Sequence, residues 1–146
     1  MTIRKAAEND LEDLLTLYTC LIDDEDFSDA SIYSQAWKEI LNDKKMECWI
    51  VYEGNTAVAS CIITVIPNLT RNRRPYAVIE NVVTHRDFRN KGYGRAVMEK
   101  AVETAKENNC YKVMLLSSAK RKEAHEFYRR IGFDGDSKKG FQLRLP

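Results

Sequence analysis

The sequence has no run of about 18 apolar residues, so no membrane-spanning helix is expected. Its four cysteines, Cys20, Cys48, Cys61 and Cys110, form no Cys-x-x-Cys pair. The first residues, Met1 to Ala6, lack the apolar stretch of a signal peptide. The cytoplasm is therefore the expected compartment, and the thiols are expected to be reduced. Two histidines, His85 and His125, with no spaced carboxylate make no metal motif, so no metal is expected. Three prolines and six glycines in 146 residues exclude collagen-like and low-complexity chains and leave no flexible linker. No internal repeat is present. What remains is a chain of 44% hydrophobic and 31% charged residues, the length of one ordinary domain spanning 1–146.

An excess of charge of one sign is also missing overall, since the net charge is +1. The mean hides a division. Residues 1–70 carry 5 Lys+Arg against 13 Asp+Glu, and residues 71–146 carry 18 against 9, so the halves are −8 and +9. A basic face for nucleic acid and a pocket for a phosphorylated cofactor both fit that division.

Hydrophobic periodicity predicts the elements. Ile3–Ala6 reads as a first strand. Asn9 or Asp10 can cap a helix carrying Leu11, Leu14, Leu15, Tyr18 and Leu21-Ile22. The acidic run from Asp23 breaks that pattern, and a second helix is expected over about Ala30–Leu41. The period then changes to two. Strands are expected at Glu47–Tyr52, Ala57–Ile66 and Tyr76–Thr84, with a hairpin turn at Gly54-Asn55 and a basic loop from Arg71 to Pro75. A helix over about Gly92–Asn108 follows. Tyr111–Leu116 is almost uniformly apolar, as a covered central strand would be. A helix over Lys122–Ile131 stops at Gly132, and Phe141–Leu145 alternates as a last strand. The order predicts an α/β fold with a mixed sheet of about six strands and helices on both faces.

Chemistry concentrates in the segment from Val82 to Ala96. A strand ends, a loop of mixed charge turns, and Gly92 and Gly94 open a long helix. Glycines there let the backbone approach a ligand and present bare N–H groups, and the helix start adds partial positive charge. This is an anion cradle suited to a pyrophosphate; a tight strand-to-helix turn without ligand is the plain alternative. The third glycine of a dinucleotide fingerprint and the Gly-Lys-Ser/Thr of a P-loop are both absent. In the second segment, Ala124 to Phe133, Phe127, Ile131 and Phe133 read as core and Tyr128 as half-buried.

Together these segments resemble the GNAT superfamily of acetyl-CoA-dependent N-acetyltransferases. Arg89-Asn90-Lys91-Gly92-Tyr93-Gly94 matches the signature Arg/Gln-x-x-Gly-x-Gly/Ala. Ala124 to Phe133 matches Ala-x-x-Phe/Leu-Tyr-x-x-x-Gly-Phe, and the element order also agrees. The resemblance implies acetyl-CoA as acetyl donor. It implies that Val82, Val83 and Thr84 pair with the pantetheine arm, in a strand that often carries a bulge and splays from its neighbour. Backbone N–H groups of Arg89, Asn90, Lys91, Gly92, Tyr93, Gly94 and Arg95 would hold the pyrophosphate, and Tyr128 would lie near the sulfur. Arg121 stands where the family often has an Asn contacting the pantetheine arm, so either that contact is lost or a basic group replaces it. More locally, Lys120 to Tyr128 is similar to aminoalkylphosphonate N-acetyltransferases. Ile79–Val83 and Asn109–Lys112 are similar to glucosamine-6-phosphate N-acetyltransferases. Both act on small amines bearing phosphate or phosphonate.

An amine must lose a proton before it attacks a thioester, since an alkylammonium has a pKa near 10.4. Glu80, two residues before the expected pantetheine contacts, could serve as base, act through water or bind the ammonium; an outward solvated strand residue is the alternative. The N–H near Val82 is the candidate donor to developing negative charge, and Tyr128 the candidate proton donor to the leaving thiolate. The Asp23–Asp29 run reads as a solvated loop able to attract a cation, and Arg71, Arg73 and Arg74 as a solvated turn or an anion-recruiting rim. The expected partners are acetyl-CoA and a small amine, with no nucleic acid and no membrane, and a homodimer is the candidate assembly. A protein or peptide N-acetyltransferase and a non-catalytic acyl-CoA-binding module are the competing readings.

Overall fold

The period-two segments of the N-terminal part pair in chain order. In the computed structural model, which describes residues 1–146, Met1–Met114 and Leu115–Pro146 form two compact units. The first holds β1 (Thr2–Lys5), α1 (Leu11–Tyr18), α2 (Ser34–Asn42), β2 (Met46–Glu53), β3 (Thr56–Ile66), β4 (Tyr76–Thr84), α3 (Tyr93–Glu107) and β5 (Val113–Met114). Sheet order is β1-β2-β3-β4-β5, antiparallel until β5, which lies parallel to β4. No helix is long and apolar enough to cross a membrane.

β3 is the centre of the core, buried from Ala57 through Ile63. Adjacent residues of a strand point to opposite faces, and here both faces are covered. Ile62 packs with Leu14, Trp37 and Cys48 under α1 and α2. Its neighbour Cys61 lies with Sγ 3.7 Å from the carbonyl of Val97 in α3. Each large side chain fully buried this way contributes about 1.5–3 kcal/mol.

Asp10 stands at the N-cap position of α1 as expected, but its side chain makes no cap bond to that helix and is a buried hub with 3% exposure. It accepts from both terminal nitrogens of Arg4 (2.6 and 2.9 Å), from the N–H of Ala7 (2.7 Å) and from the Tyr52 hydroxyl (2.9 Å). These donors, Arg4 foremost, lower its pKa to about 2.

The second unit holds α4 (Lys122–Arg130), which ends where Gly132 takes φ +103° and the Phe133 N–H closes on the Tyr128 carbonyl at 2.9 Å. Two expectations are corrected. The strand expected at Tyr111–Leu116 as covered and central is only Val113–Met114, last in the sheet order and paired with β4 at Ala77 and Val78 alone, with Met114 43% and Leu116 63% exposed. Phe141–Leu145 forms no strand, and the mixed sheet has five strands, close to the expected number of about six. Alternation alone does not make a strand without a backbone partner, and Phe141, Leu143 and Leu145 are 81–88% exposed. Just before them Gly140 passes so close to Leu116 that a Cβ would sit 2.5 Å from its Cδ2.

Candidate active site

β4 is interrupted where its sequence is most polar. Ile62 pairs with Glu80 but Ser60 pairs with Val83, so β4 carries one residue more than β3 over this stretch. The extra residue is accommodated as a bulge, with Asn81 at φ +54°. Asn is among the few residues that adopt this conformation at modest cost. Glu80 and Asn81 are both exposed, Val82 and Thr84 half-buried, and Val83 buried. Behind the bulge lies Tyr18 of α1. Its hydroxyl is buried and unpartnered, and burial raises its pKa, with the Asn81 side chain close enough to act on it.

Pairing between β4 and β5 ends at Val78 opposite Met114. From Ile79 to Thr84, β4 is therefore laddered within this unit only to β3. The chain leaves β4 with the His85 N–H on the Val58 carbonyl (2.8 Å), makes a 3-10 turn at Arg86–Phe88, and turns left-handed at Asn90 (φ +61°) and Gly92 (φ +88°). The helix α3 starts with no side-chain cap and no acid in its first turn. Its first internal bond runs from the Ala96 N–H to the Gly92 carbonyl (3.0 Å), which leaves the N–H groups of Tyr93, Gly94 and Arg95 without helical acceptors. A Cβ on Gly92 would meet nothing within 4 Å. The helix start thus combines N–H groups free of helical acceptors with positive helix-end potential beside open space at Gly92, a fit for a pyrophosphate.

The loop side chains brace this shape. Arg89 reaches the carbonyls of Thr84 and Cys20, each at 3.4 Å, and Arg86 that of Thr19 at 3.5 Å, all long contacts. Lys91 donates to the Asp87 carbonyl (3.2 Å) and lies over the Phe88 ring. Arg95 pairs with Glu99 (2.8 Å), and Tyr93 donates to Glu53 (3.0 Å). Sequence reasoning assigned backbone donors here and did not reveal these contacts. Tyr18, whose spacing reads simply as core, was not singled out either, whereas the bulge that the family resemblance implies for this strand is present, at Asn81.

The structure brings Glu80, Val82, Val83 and Thr84 on β4 into continuity with the Arg89–Arg95 segment. Arg121 and Tyr128 belong to the second unit. Arg121 is exposed at the start of α4, its N–H on the Ser118 carbonyl (3.0 Å). Tyr128 is half-buried, its ring against Phe127 and Phe133. His125 lies 2.8 Å from the Ser118 carbonyl. Burial pushes the Cys48 thiol up to about 11 and raises those of Cys61 and Cys110, so none is a ready thiolate near neutrality.

Residues 10–133 match the model of the Acetyltransferase (GNAT) family. Among solved structures, a candidate acetyltransferase from Agrobacterium tumefaciens str. C58 is 39% identical with a TM-score of 0.94, covering 99% of this chain and 100% of that one. A protein described as a transcriptional regulator from Bacillus halodurans C-125 is 32% identical with a TM-score of 0.91, covering 99% of each. The uncharacterized N-acetyltransferase MJ1207 of Methanocaldococcus jannaschii is 30% identical over 91% of this chain. Glucosamine 6-phosphate N-acetyltransferase of Trypanosoma brucei brucei is 34% identical over 60% of it. The chain spans 60% and 56% of the lengths of these last two.

Proposed function

The chain belongs to the Acetyltransferase (GNAT) family, and from that premise we propose that residues 1–146 act as one domain moving the acetyl group of acetyl-CoA to the primary amine of a small acceptor. The observation that carries this reading is the bulged end of β4, with its second side unladdered beyond Val78, leading directly into the donor-rich start of α3.

Acetyl-CoA supplies a thioester whose acyl carbon accepts the amine. The chain's own residues do the rest. Backbone N–H groups from Arg89 to Arg95 bind the pyrophosphate. Val82, Val83 and Thr84 offer backbone to the pantetheine arm. Glu80, exposed beside the bulge, takes a proton from the incoming ammonium, directly or through one water, or binds it before that loss. The Val82 N–H donates to the carbonyl oxygen as negative charge develops there. Tyr128 donates its phenolic proton to the departing thiolate. Arg121, a basic residue where the family signature often has Asn, faces phosphate of donor or acceptor.

The acceptor proposed carries phosphate or phosphonate. The relative from Trypanosoma named for glucosamine 6-phosphate and the local likeness of Ile79–Val83 support this choice. The protein is proposed to work in the cytoplasm as a homodimer, to which the exposed apolar side chains of Phe141, Leu143 and Leu145 would contribute. Thiol release from acetyl-CoA, followed against aminophosphonates, amino sugar phosphates, polyamines and N-terminal peptides, tests the reading. Turnover only with peptides would replace the acceptor class. Binding of acetyl-CoA without turnover of any amine would leave an acyl-CoA-binding module.

A further inference from the structure

The charge of the basic half is not all spent at the cradle. Arg71, Arg73 and Arg74 lie between β3 and β4, at the start of β4, whereas the cradle follows its end. The nine residues of β4 span roughly 26 Å. The sheet register brings further cations to the same end. Met46 of β2 pairs with Thr64, Ile66 with Tyr76, and Ala77 with Val113. Lys45 and Lys112 directly precede β2 and β5 at that end, Lys44 stands one residue before Lys45, and all six cations are exposed. None of the six is within ion-pair distance of a carboxylate. Asp43 is the acid adjoining them, and Lys106 and Glu107 on the last turn of α3 cancel each other.

The loop is held in a costly shape. Arg71, Asn72 and Arg73 have φ of +54°, +58° and +61°, three consecutive left-handed residues without a glycine. Such strain persists only where surrounding bonds impose it. Asn68 provides some, donating to the Thr70 carbonyl and hydroxyl and to the Arg74 carbonyl at 3.0–3.2 Å. Arg74 provides the rest, bonded to the carbonyls of Asn109 (3.2 Å) and Cys110 (2.9 Å). The turn is thereby fixed with Arg71 and Arg73 displayed, and with Leu69, 91% exposed, beside them.

We propose that this end of the sheet is a docking surface for an acidic segment of a partner protein, in which carboxylates flank an apolar residue that covers Leu69. Charge complementarity selects the carboxylates, and guanidinium groups on a rigid turn suit them in two-point contacts. The aromatic residues here argue against single-stranded nucleic acid. Arg71 already lies over the Tyr111 ring at 5.8 Å, and Lys112 over the rings of Tyr76 and Tyr111 at 5.5 and 5.4 Å, so a stacking base would have to displace the protein's own cations.

The probe is a fluorescent peptide of alternating Glu and Asp around one central Leu, titrated by anisotropy into the full chain. Saturable binding is expected, weakening as salt rises. Arg71→Gln with Arg73→Gln should weaken it at least about tenfold, and Leu69→Ser should weaken it further, while Lys138→Ala with Lys139→Ala leaves it unchanged. Saturating coenzyme A should not compete. If the arginine variant fails to fold, Lys44→Glu with Lys45→Glu tests the same surface. The proposal is overturned by absence of binding at low salt, by equal loss in the Lys138/Lys139 variant, or by competition from coenzyme A. Tighter binding of a single-stranded oligonucleotide of equal charge would also overturn it.

Discussion

The Tyr93 hydroxyl donates to Glu53 Oε2 at 3.0 Å, tying the first turn of α3 to the end of β2. The bond lowers the pKa of Glu53 and raises that of Tyr93. Its partners are forty residues apart, and the same carboxylate also receives the N-terminal ammonium at 3.4 Å. An exposed bond of this kind adds little to global stability. It ties down the turn whose N–H groups are proposed to form the cradle.

Tyr93→Phe should therefore leave the melting temperature nearly unchanged and weaken acetyl-CoA binding by roughly threefold, through looser positioning of the donors. Calorimetric titration beside a thermal melt measures both. A fall in melting temperature with unchanged affinity would make the pair a strut for the fold alone.

The two glycines of the cradle predict different failures. Gly92 is left-handed with open space where a Cβ would go, so Gly92→Ala costs only backbone strain, about 1–2 kcal/mol, read as a lower denaturation midpoint. Gly92→Asn should recover part of that loss. Gly94 is buried in the first turn of α3. Gly94→Glu places bulk and negative charge at the proposed anion site, and acetyl-CoA affinity should fall at least about tenfold, or 1.4 kcal/mol. Unchanged affinity in a folded Gly94→Glu protein would remove the cradle from the cofactor site.

Asp10 sets an acid limit on stability. Its folded pKa of about 2 lies below the ordinary 3.8, with the Arg4 bond as the main cause and the Ala7 N–H and Tyr52 hydroxyl assisting. A depressed carboxylate stabilises the fold fully above its unfolded pKa, and the contribution is lost as pH falls from about 4 through 2. The shift corresponds to roughly 1–2 kcal/mol once screening of the half-exposed Arg4 is allowed for. Urea midpoints across that range should decline in the parent and decline less steeply in Asp10→Asn, which starts lower. Parallel curves would place the acid sensitivity elsewhere.

Much of this architecture was legible, and the exceptions have physical causes. The change of period from 3.6 to two separated α1 and α2, which each bury one face, from β2, β3 and β4, of which β3 is covered on both faces. Gly92 was legible because a left-handed residue there favours glycine. The same conformation at Asn81 and at Arg71, Asn72 and Arg73 was not, since it goes with a register shift against β3 in the first case and with side-chain bonds of Asn68 and Arg74 in the second. Phe141–Leu145 alternates like a strand, but a strand also needs a backbone partner, which sequence does not display. The charge division was plain from composition, yet only strand register shows that Lys44, Lys45 and Lys112 gather at the same end of the sheet as Arg71–Arg74.

Glu80 is exposed on the edge of the bulge, where a proton acceptor for the amine would stand. Glu80→Gln should lower turnover while leaving acetyl-CoA affinity intact, and the acidic limb of the pH–rate profile should shift or vanish. A profile and rate identical to the parent would make Glu80 a solvated strand residue.

Tyr128 offers the sharpest separation of chemistry from packing. Its ring lies against Phe127 and Phe133, with centroids at 5.2 and 6.1 Å, so Tyr128→Phe keeps those contacts and removes only the hydroxyl. If that hydroxyl protonates the departing thiolate, turnover should fall by roughly 10²–10⁴ where thiolate departure limits the rate. Acetyl-CoA binding should change little, because the hydroxyl matters once charge develops on sulfur rather than in the ground state. Stability should fall by about 1 kcal/mol at most, the usual worth of one hydroxyl bond. Thiol release and thermal melting measured on one preparation distinguish the outcomes. Normal turnover would assign proton delivery to water or another group. An unfolded variant would show that the hydroxyl holds the helix rather than the reaction, and Tyr128→His, which retains a donor, would then fail to restore activity even where the fold is recovered.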